Sequence, residues 1–310
     1  LKGSQHWIKL TSADLDAAEG YFAIALEKDP TYAPAHAGMA WVWACRGQQG
    51  FAPPAEAARK EREATLKAIS LDATLAEAHY LLAAINTWVD WDMPAADREW
   101  ARAVELNPSY PDGLAMYSHY LAIVGRTEEA MAQIDRALRL DPFNVTIHSF
   151  RAIDLLFARR FDEALVQARK ALAMEPGNFV ALPAKYWALA AKGKTTEAVD
   201  AIKDYVIAIG LPDVARALDQ GFNEAGFAGA AKRGAEALAV HAAQGKAGAL
   251  PFDVANFYIL AGEKLRALDW LERAYEMRDP NMPYIRLPVY DPLRSEPRFQ
   301  DILRRMNLPQ

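Results

Sequence analysis

The sequence predicts an all-α fold, a solenoid of antiparallel helix pairs, and three observations lead there. The first is a recurrent stretch, alanine, a branched aliphatic residue, two variable residues, an acid or amide, then proline. It spans 103–108, 137–142 and 171–176 at intervals of 34 residues. An earlier copy spans 25–30, Ala68-Ile69-Ser70-Leu71-Asp72 lacks the proline, and a late copy ends at Pro280. The second is the proline itself. It has no N–H and its ring clashes with the preceding turn, so it separates one helix from the next. The third is the pairing of small residues seven apart, Ala130 with Ala137 and Ala164 with Ala171. Seven residues are two helical turns, so these alanines share a face on which a neighbouring helix can approach closely.

The elements follow in order. Residues 1–32 form an N-terminal half-repeat, and five units fill 33–211. The first, 33–75, carries about nine extra residues near 47–54, expected to bulge at the turn between its helices. The second, 76–110, fits with one residue inserted near Trp91-Asp92. The third is 111–144, the fourth 145–178, and the fifth, 179–211, ends in Gly210-Leu211-Pro212. Residues 212–248 are alanine-rich and read as a degenerate helix pair. Residues 249–281 return to register with Ala267, Leu271, Ala274 and Pro280. Residues 282–310 read as a loop and an amphipathic capping helix, since a terminal repeat needs a polar outer face. Gly125, Gly193 and Gly262 fall between the helices of a unit, where a left-handed residue suits glycine. No single pair can bury its own apolar face, so neighbours must stack.

Composition agrees. Of the 310 residues, 52% are hydrophobic and 24% charged, enough to build a core and not the composition of a disordered chain. The net charge of −5 argues against a general nucleic-acid or anionic-membrane binder, which gains affinity by neutralising phosphates. A single cysteine, Cys45, excludes an internal disulfide framework and a cysteine-rich zinc site, and fits a reducing, cytoplasmic setting. No apolar run reaches the length of a membrane span. The opening Leu1-Lys2-Gly3, with neither initiator Met nor signal pattern, is expected of a piece of a longer chain.

These units resemble the tetratricopeptide repeat (TPR) family. In the third unit Leu114, Tyr117, Ser118, Leu121, Ala130, Ile134, Ala137 and Pro142 fall at signature positions. In the fourth, His148, Ala152, Leu155, Ala164, Ala168, Ala171 and Pro176 do. In the second, His79, Leu82, Ala83, Ala96, Trp100, Ala103 and Pro108 do. The resemblance implies a right-handed superhelix that binds a protein or peptide on its concave side. The ending Asp291-Pro292-Leu293-Arg294-Ser295-Glu296-Pro297-Arg298-Phe299 is similar to that of TPR arrays in multidomain bacterial signalling proteins. There such arrays follow a class III adenylate cyclase, a winged-helix or a kinase domain. That likeness implies a regulatory or scaffolding part.

An enzyme is not expected. There is no GxSxG, GxxxxGK(S/T) or GxGxxG motif. His36, His79 and His148 recur at one helix position, a repeat apart, which suits packing and not a metal site. Neither cofactor nor metal is expected, and the basic ending with Arg294, Arg298, Arg304 and Arg305 reads as a solvated cap face with carboxylates to pair with.

The concave face is read from the first helix of each unit. Candidate groove residues are Trp41 in the first, Tyr80 and Trp88 in the second, Met116 and His119 in the third, Phe150 and Phe157 in the fourth, and Trp187 in the fifth. The inward Lys, Asn and Arg of carboxylate-clamp TPR domains are missing. Aromatic anchors of this kind give large contact area at low entropic cost. The chain is therefore expected to bind a peptide or helix in an aromatic groove. Two alternatives stay open: a small-molecule sensor inside the superhelix, and homo-oligomerisation. So does a purely structural role in which the same residues fill the inside.

Overall fold

The structure is a computed structural model that describes residues 11–308; the first ten residues of the expected half-repeat lie outside the described residues. The described residues are helical, with no strand among them. They divide into two compact units: residues 11–113 with 277–281, and residues 114–276 with 282–308.

The first unit holds α1 (Ser12–Lys28), α2 (Ala33–Gln48), α3 (Pro54–Leu71), α4 (Ala76–Ala84) and α5 (Met93–Leu106). The helices pack in sequence order, and α2 against α3 is the most extensive contact. The acid or amide of the repeat is a stop signal with a visible mechanism. Asp29, Asp72 and Asn107 leave the helical conformation, the two aspartates into the extended region, and their side-chain oxygens accept the N–H two residues on (Thr31, Thr74 and Ser109) at 2.9, 2.8 and 3.3 Å. This turn offers the backbone an alternative to continuing the helix.

The two irregular lengths are absorbed in different ways. The extra residues near 47–54 lengthen the helices, instead of bulging as the sequence reading expected. α2 and α3 have 16 and 18 residues, against 13 and 14 for the third unit, and only 49–53 remain between them. Gly47 and Gln48 continue the helix, and Pro54 starts the next at a position where its missing N–H costs nothing. The single extra residue of the second unit is taken up by a π-helical segment, Ile85–Asp90, which widens each turn by one residue. Trp91 then ends it in the left-handed region at φ 57°, and Asp92 caps α5 by accepting from Ala95 N at 3.0 Å.

The second unit runs through α6 (Pro111–Ile123), most of which belongs to it, then α7 (Thr127–Leu140), α8 (Val145–Phe157), α9 (Phe161–Met174), α10 (Ala181–Ala191) and α11 (Thr195–Ala208). Ala130, Ala137, Ala164 and Ala171 have no exposed surface, so the small residues seven apart are the helix contacts. α12 (Pro212–Ala243) is broken at Ala225 and Gly226, whose φ values are −149° and 62°. Its two halves fold back so tightly that a Cβ on Gly221 would stand 2.2 Å from the carbonyl oxygen of Gly229. Then come α13 (Pro251–Leu260), α14 (Lys264–Glu276), the 3-10 segments Met282–Arg286 and Pro288–Leu293, and α15 (Pro297–Arg305). Gly125, Gly193 and Gly262 sit in the left-handed region between paired helices; in the fourth unit Arg159 takes that place at φ 59°.

The recurrent histidines have one role. The Nε2 atoms of His36, His79 and His148 lie 3.0 Å from the carbonyl oxygens of Pro30, Ala73 and Pro142, each six residues back. A carbonyl only accepts, so each ring donates and ties the inter-repeat turn to the helix that follows.

Candidate functional site

The first unit gathers an aromatic cluster. Trp41 on α2 is half-buried against the core of Leu15, Ala18, Phe22, Val42 and Cys45, with its ring 5.7 Å from that of Tyr80 on α4. Tyr80 is 4% exposed and meets Trp100 edge-on at 5.2 Å and Tyr110 at 6.1 Å. Trp88, in the π-helical segment, meets Trp100 edge-on at 6.1 Å. Edge-to-face contacts set the negative face of one ring against the positive edge of another. Trp100 is fixed by donating from Nε1 to Thr87 Oγ1 at 3.1 Å. The cluster is thus a rigid base on which Trp41 retains exposed surface.

Beside it lies a buried carboxyl. Glu61 on α3 is 5% exposed, and burial pushes its ionisation up to about 8, with Asp90 adding to the shift and Arg62 opposing it. The Cys45 thiol is raised well above its ordinary value by burial first and then by Glu61. A thiolate is the nucleophile of cysteine chemistry, so this thiol is inert.

The second unit uses its predicted groove positions differently. His119 has no exposed surface. Its Nδ1–H donates to Asp154 Oδ1 at 2.7 Å, and its Nε2 accepts from the Tyr284 hydroxyl at 2.9 Å. Ser118 Oγ stands 2.5 Å from Asp154 Oδ2 and 2.9 Å from the Ala130 carbonyl oxygen. Phe150 and Phe157 flank the imidazole at 4.8 and 6.4 Å between ring centres. The serine and histidine both point at the aspartate and not at each other. The group therefore holds α6, α8 and the 282–286 segment together, and forms no nucleophile–base pair.

Of the eight residues predicted to line a groove, Trp41 joins Tyr80, Trp88 reaches them through Trp100, and His119 joins Phe150 and Phe157. Met116 and Trp187 are buried in the same unit as His119, at 7% and 8% exposure, Trp187 against Tyr186. Only Trp41 and Phe157 among the eight are not classed with the buried core. Sequence reasoning missed Asp154, although it is the one carboxylate in the apolar run 152–157, which was its signal. Nothing local marked Tyr284, whose partner lies 165 residues away. Among the described residues no three His, Cys, Asp or Glu side chains are placed to hold a metal, and no helix is long and apolar enough to cross a membrane.

No family model and no curated protein matches the chain. Solved structures do. Human IFIT1, solved as a dimer with m7Gppp-AAAA, is 14% identical, matches 96% of this chain and 69% of its own, with a TM-score of 0.63. The structure of the APC/C hetero-tetramer Cut9–Hcn1 is 14% identical and matches 98% of this chain with a TM-score of 0.61; this chain spans 54% of the matched one. PilW, a type IV pilus biogenesis factor, is 20% identical over 61% of this chain and 87% of its own, with a TM-score of 0.49.

Proposed function

Taking the all-α helical repeat of the tetratricopeptide kind as premise, we propose that the chain is a non-enzymatic protein-interaction module. Its partner presents a peptide or helix to Trp41. The observation that carries this is the half-buried indole of Trp41 over the rigid base of Tyr80, Trp100 and Trp88. An aromatic face that is already ordered binds with little further loss of side-chain entropy. Cut9, of the same fold, was solved in a complex with Hcn1, which supports a protein partner. The similarity of residues 291–299 to the ends of signalling TPR arrays supports a regulatory place in a larger bacterial protein.

The test compares wild type with Trp41→Ala as bait in lysate of the source organism, with circular dichroism showing both folded. A protein retained by the wild type and lost by the variant supports docking at Trp41. Equal recovery by both rejects it.

A further inference from the structure

The 3-10 segments of the second unit carry a group of cations without matching anions. Arg286 lies part-buried over the turn after α6, with Nη1 donating to the Ile123 carbonyl oxygen. The turn is shaped to receive it: a Cβ on Gly125 would stand 3.2 Å from both Nη atoms. Arg294 donates from Nη2 to the Arg286 carbonyl oxygen at 2.9 Å and from Nε to Asp291 Oδ1 at 2.7 Å. Asp291 Oδ2 is taken by Arg159 at 2.7 Å. Two guanidinium groups, those of Arg294 and Arg159, thus share one carboxylate, and the third, Arg286, stands near Arg294 with no carboxylate of its own.

Arg286 is the unbalanced member. Among the described residues it makes no ion pair, and its Nε is buried with no hydrogen-bond acceptor. Burial lowers its ionisation below the ordinary value, and the nearby charge of Arg294 lowers it further. A desolvated cation beside another cation is costly unless an anion completes the group.

We propose that Arg286 and Arg294 form a binding site for a phosphate-type dianion, free or carried as a phosphomonoester. The planar forks of two guanidinium groups match phosphate oxygens in paired hydrogen bonds. A phosphate group carries about −1.5 to −2 charges at pH 7, which matches two guanidinium groups better than a single carboxylate does. The site is pre-organised, because the Ile123 carbonyl and Asp291 hold both side chains before any ligand arrives. It stands on residues of the second unit alone and is independent of docking at Trp41.

Calorimetric titration of the whole chain with sodium phosphate at neutral pH tests the site, with sodium chloride at matched ionic strength as control. Saturable single-site binding is expected. Arg286→Gln should weaken it at least about tenfold, and Arg286→Lys by less, since charge is kept and the fork is lost. Phenyl phosphate distinguishes the sources: affinity equal to phosphate indicates the free ion, and tighter binding indicates a monoester ligand. No saturable heat beyond the chloride control overturns the proposal. So does equal affinity in wild type and a folded Arg286→Gln variant. If that variant does not fold, crystals of the wild type soaked in tungstate decide. Anomalous scattering at Arg286 and Arg294 supports the site, and an anion bound only elsewhere overturns it.

Discussion

The positions predicted to line a groove carry similar residues in the two units and satisfy them differently. In the first unit, Trp41, Tyr80, Trp88 and Trp100 pack ring on ring, and Trp100 donates from Nε1 to Thr87 within the same group. In the second, His119 stands between Phe150 and Phe157 but is held by a buried aspartate on one nitrogen and by Tyr284 on the other. An aromatic cluster is held mainly by ring contacts and leaves Trp41 with accessible surface. A buried imidazole is not, so a distant segment is drawn in to complete it. An aromatic at a groove position is therefore weak evidence for a groove until its hydrogen-bonding atoms are accounted for.

That contrast can be broken most strongly at a buried acid. In the first unit, Glu61 has a carboxyl raised from 4.5 in the free chain to about 8 when folded. The native state therefore binds more protons than the unfolded state between these values, and stability falls as pH rises through that window. Below it both states are protonated; above it the folded chain must hold a buried charge. At 1.36 kcal/mol per pKa unit the whole loss amounts to about 5 kcal/mol, of which about 4 kcal/mol falls between pH 5 and pH 9. Urea unfolding of the wild type at pH 5 and pH 9 should show this decline, and Glu61→Gln should be flatter by that amount. Equal pH dependence in both would mean that the carboxyl is not desolvated.

In the second unit, Asp154→Ala removes the acceptor of the His119 ring and of the Ser118 hydroxyl. The buried His119 N–H loses its acceptor while the Ser118 hydroxyl keeps the Ala130 carbonyl oxygen, so a loss of about 2 kcal/mol is expected from urea unfolding at neutral pH. A smaller change follows from Tyr284→Phe, which keeps the ring and deletes one hydrogen bond to His119. About 1 kcal/mol is expected, read by thermal unfolding. If Tyr284→Phe were neutral while Asp154→Ala was not, the distant segment would hold by apolar packing alone. The smallest effect is expected at the recurrent turn staple. His36→Ala, at a residue whose Nε2 only ties back Pro30, should cost about 0.5–1 kcal/mol and leave the aromatic cluster's near-UV circular dichroism unchanged.

Much of the architecture was legible because it rests on rules that act within a few residues. Pro30, Pro108, Pro142 and Pro176 mark helix ends through the missing N–H, and Gly125, Gly193 and Gly262 mark left-handed turns. The extra residue near Trp91 was also legible as an insertion. Its solution as a π-helical segment was not, since a bulged helix and a longer loop fit the same count. The nine extra residues of the first unit were misread as a bulge because Gly47 suggested a turn, whereas the packing of α2 on α3 rewards continued helix. Half of the candidate site was visible as aromatics at helical spacing. Asp154 was passed over because a carboxylate in a helix is usually solvated.

The sequence by itself determined the period, the helix pairs and the small residues at their contacts, because sterics and hydrophobic spacing are local and repeat with the chain. Only the tertiary structure decided what the helix faces meet. Tyr284 reaches His119 across 165 residues of sequence, and Arg286 reaches the Ile123 carbonyl across 163. No local preference encodes such contacts. They arise because buried polar groups far apart in the chain must find partners once water is excluded, and the fold alone brings those partners within reach.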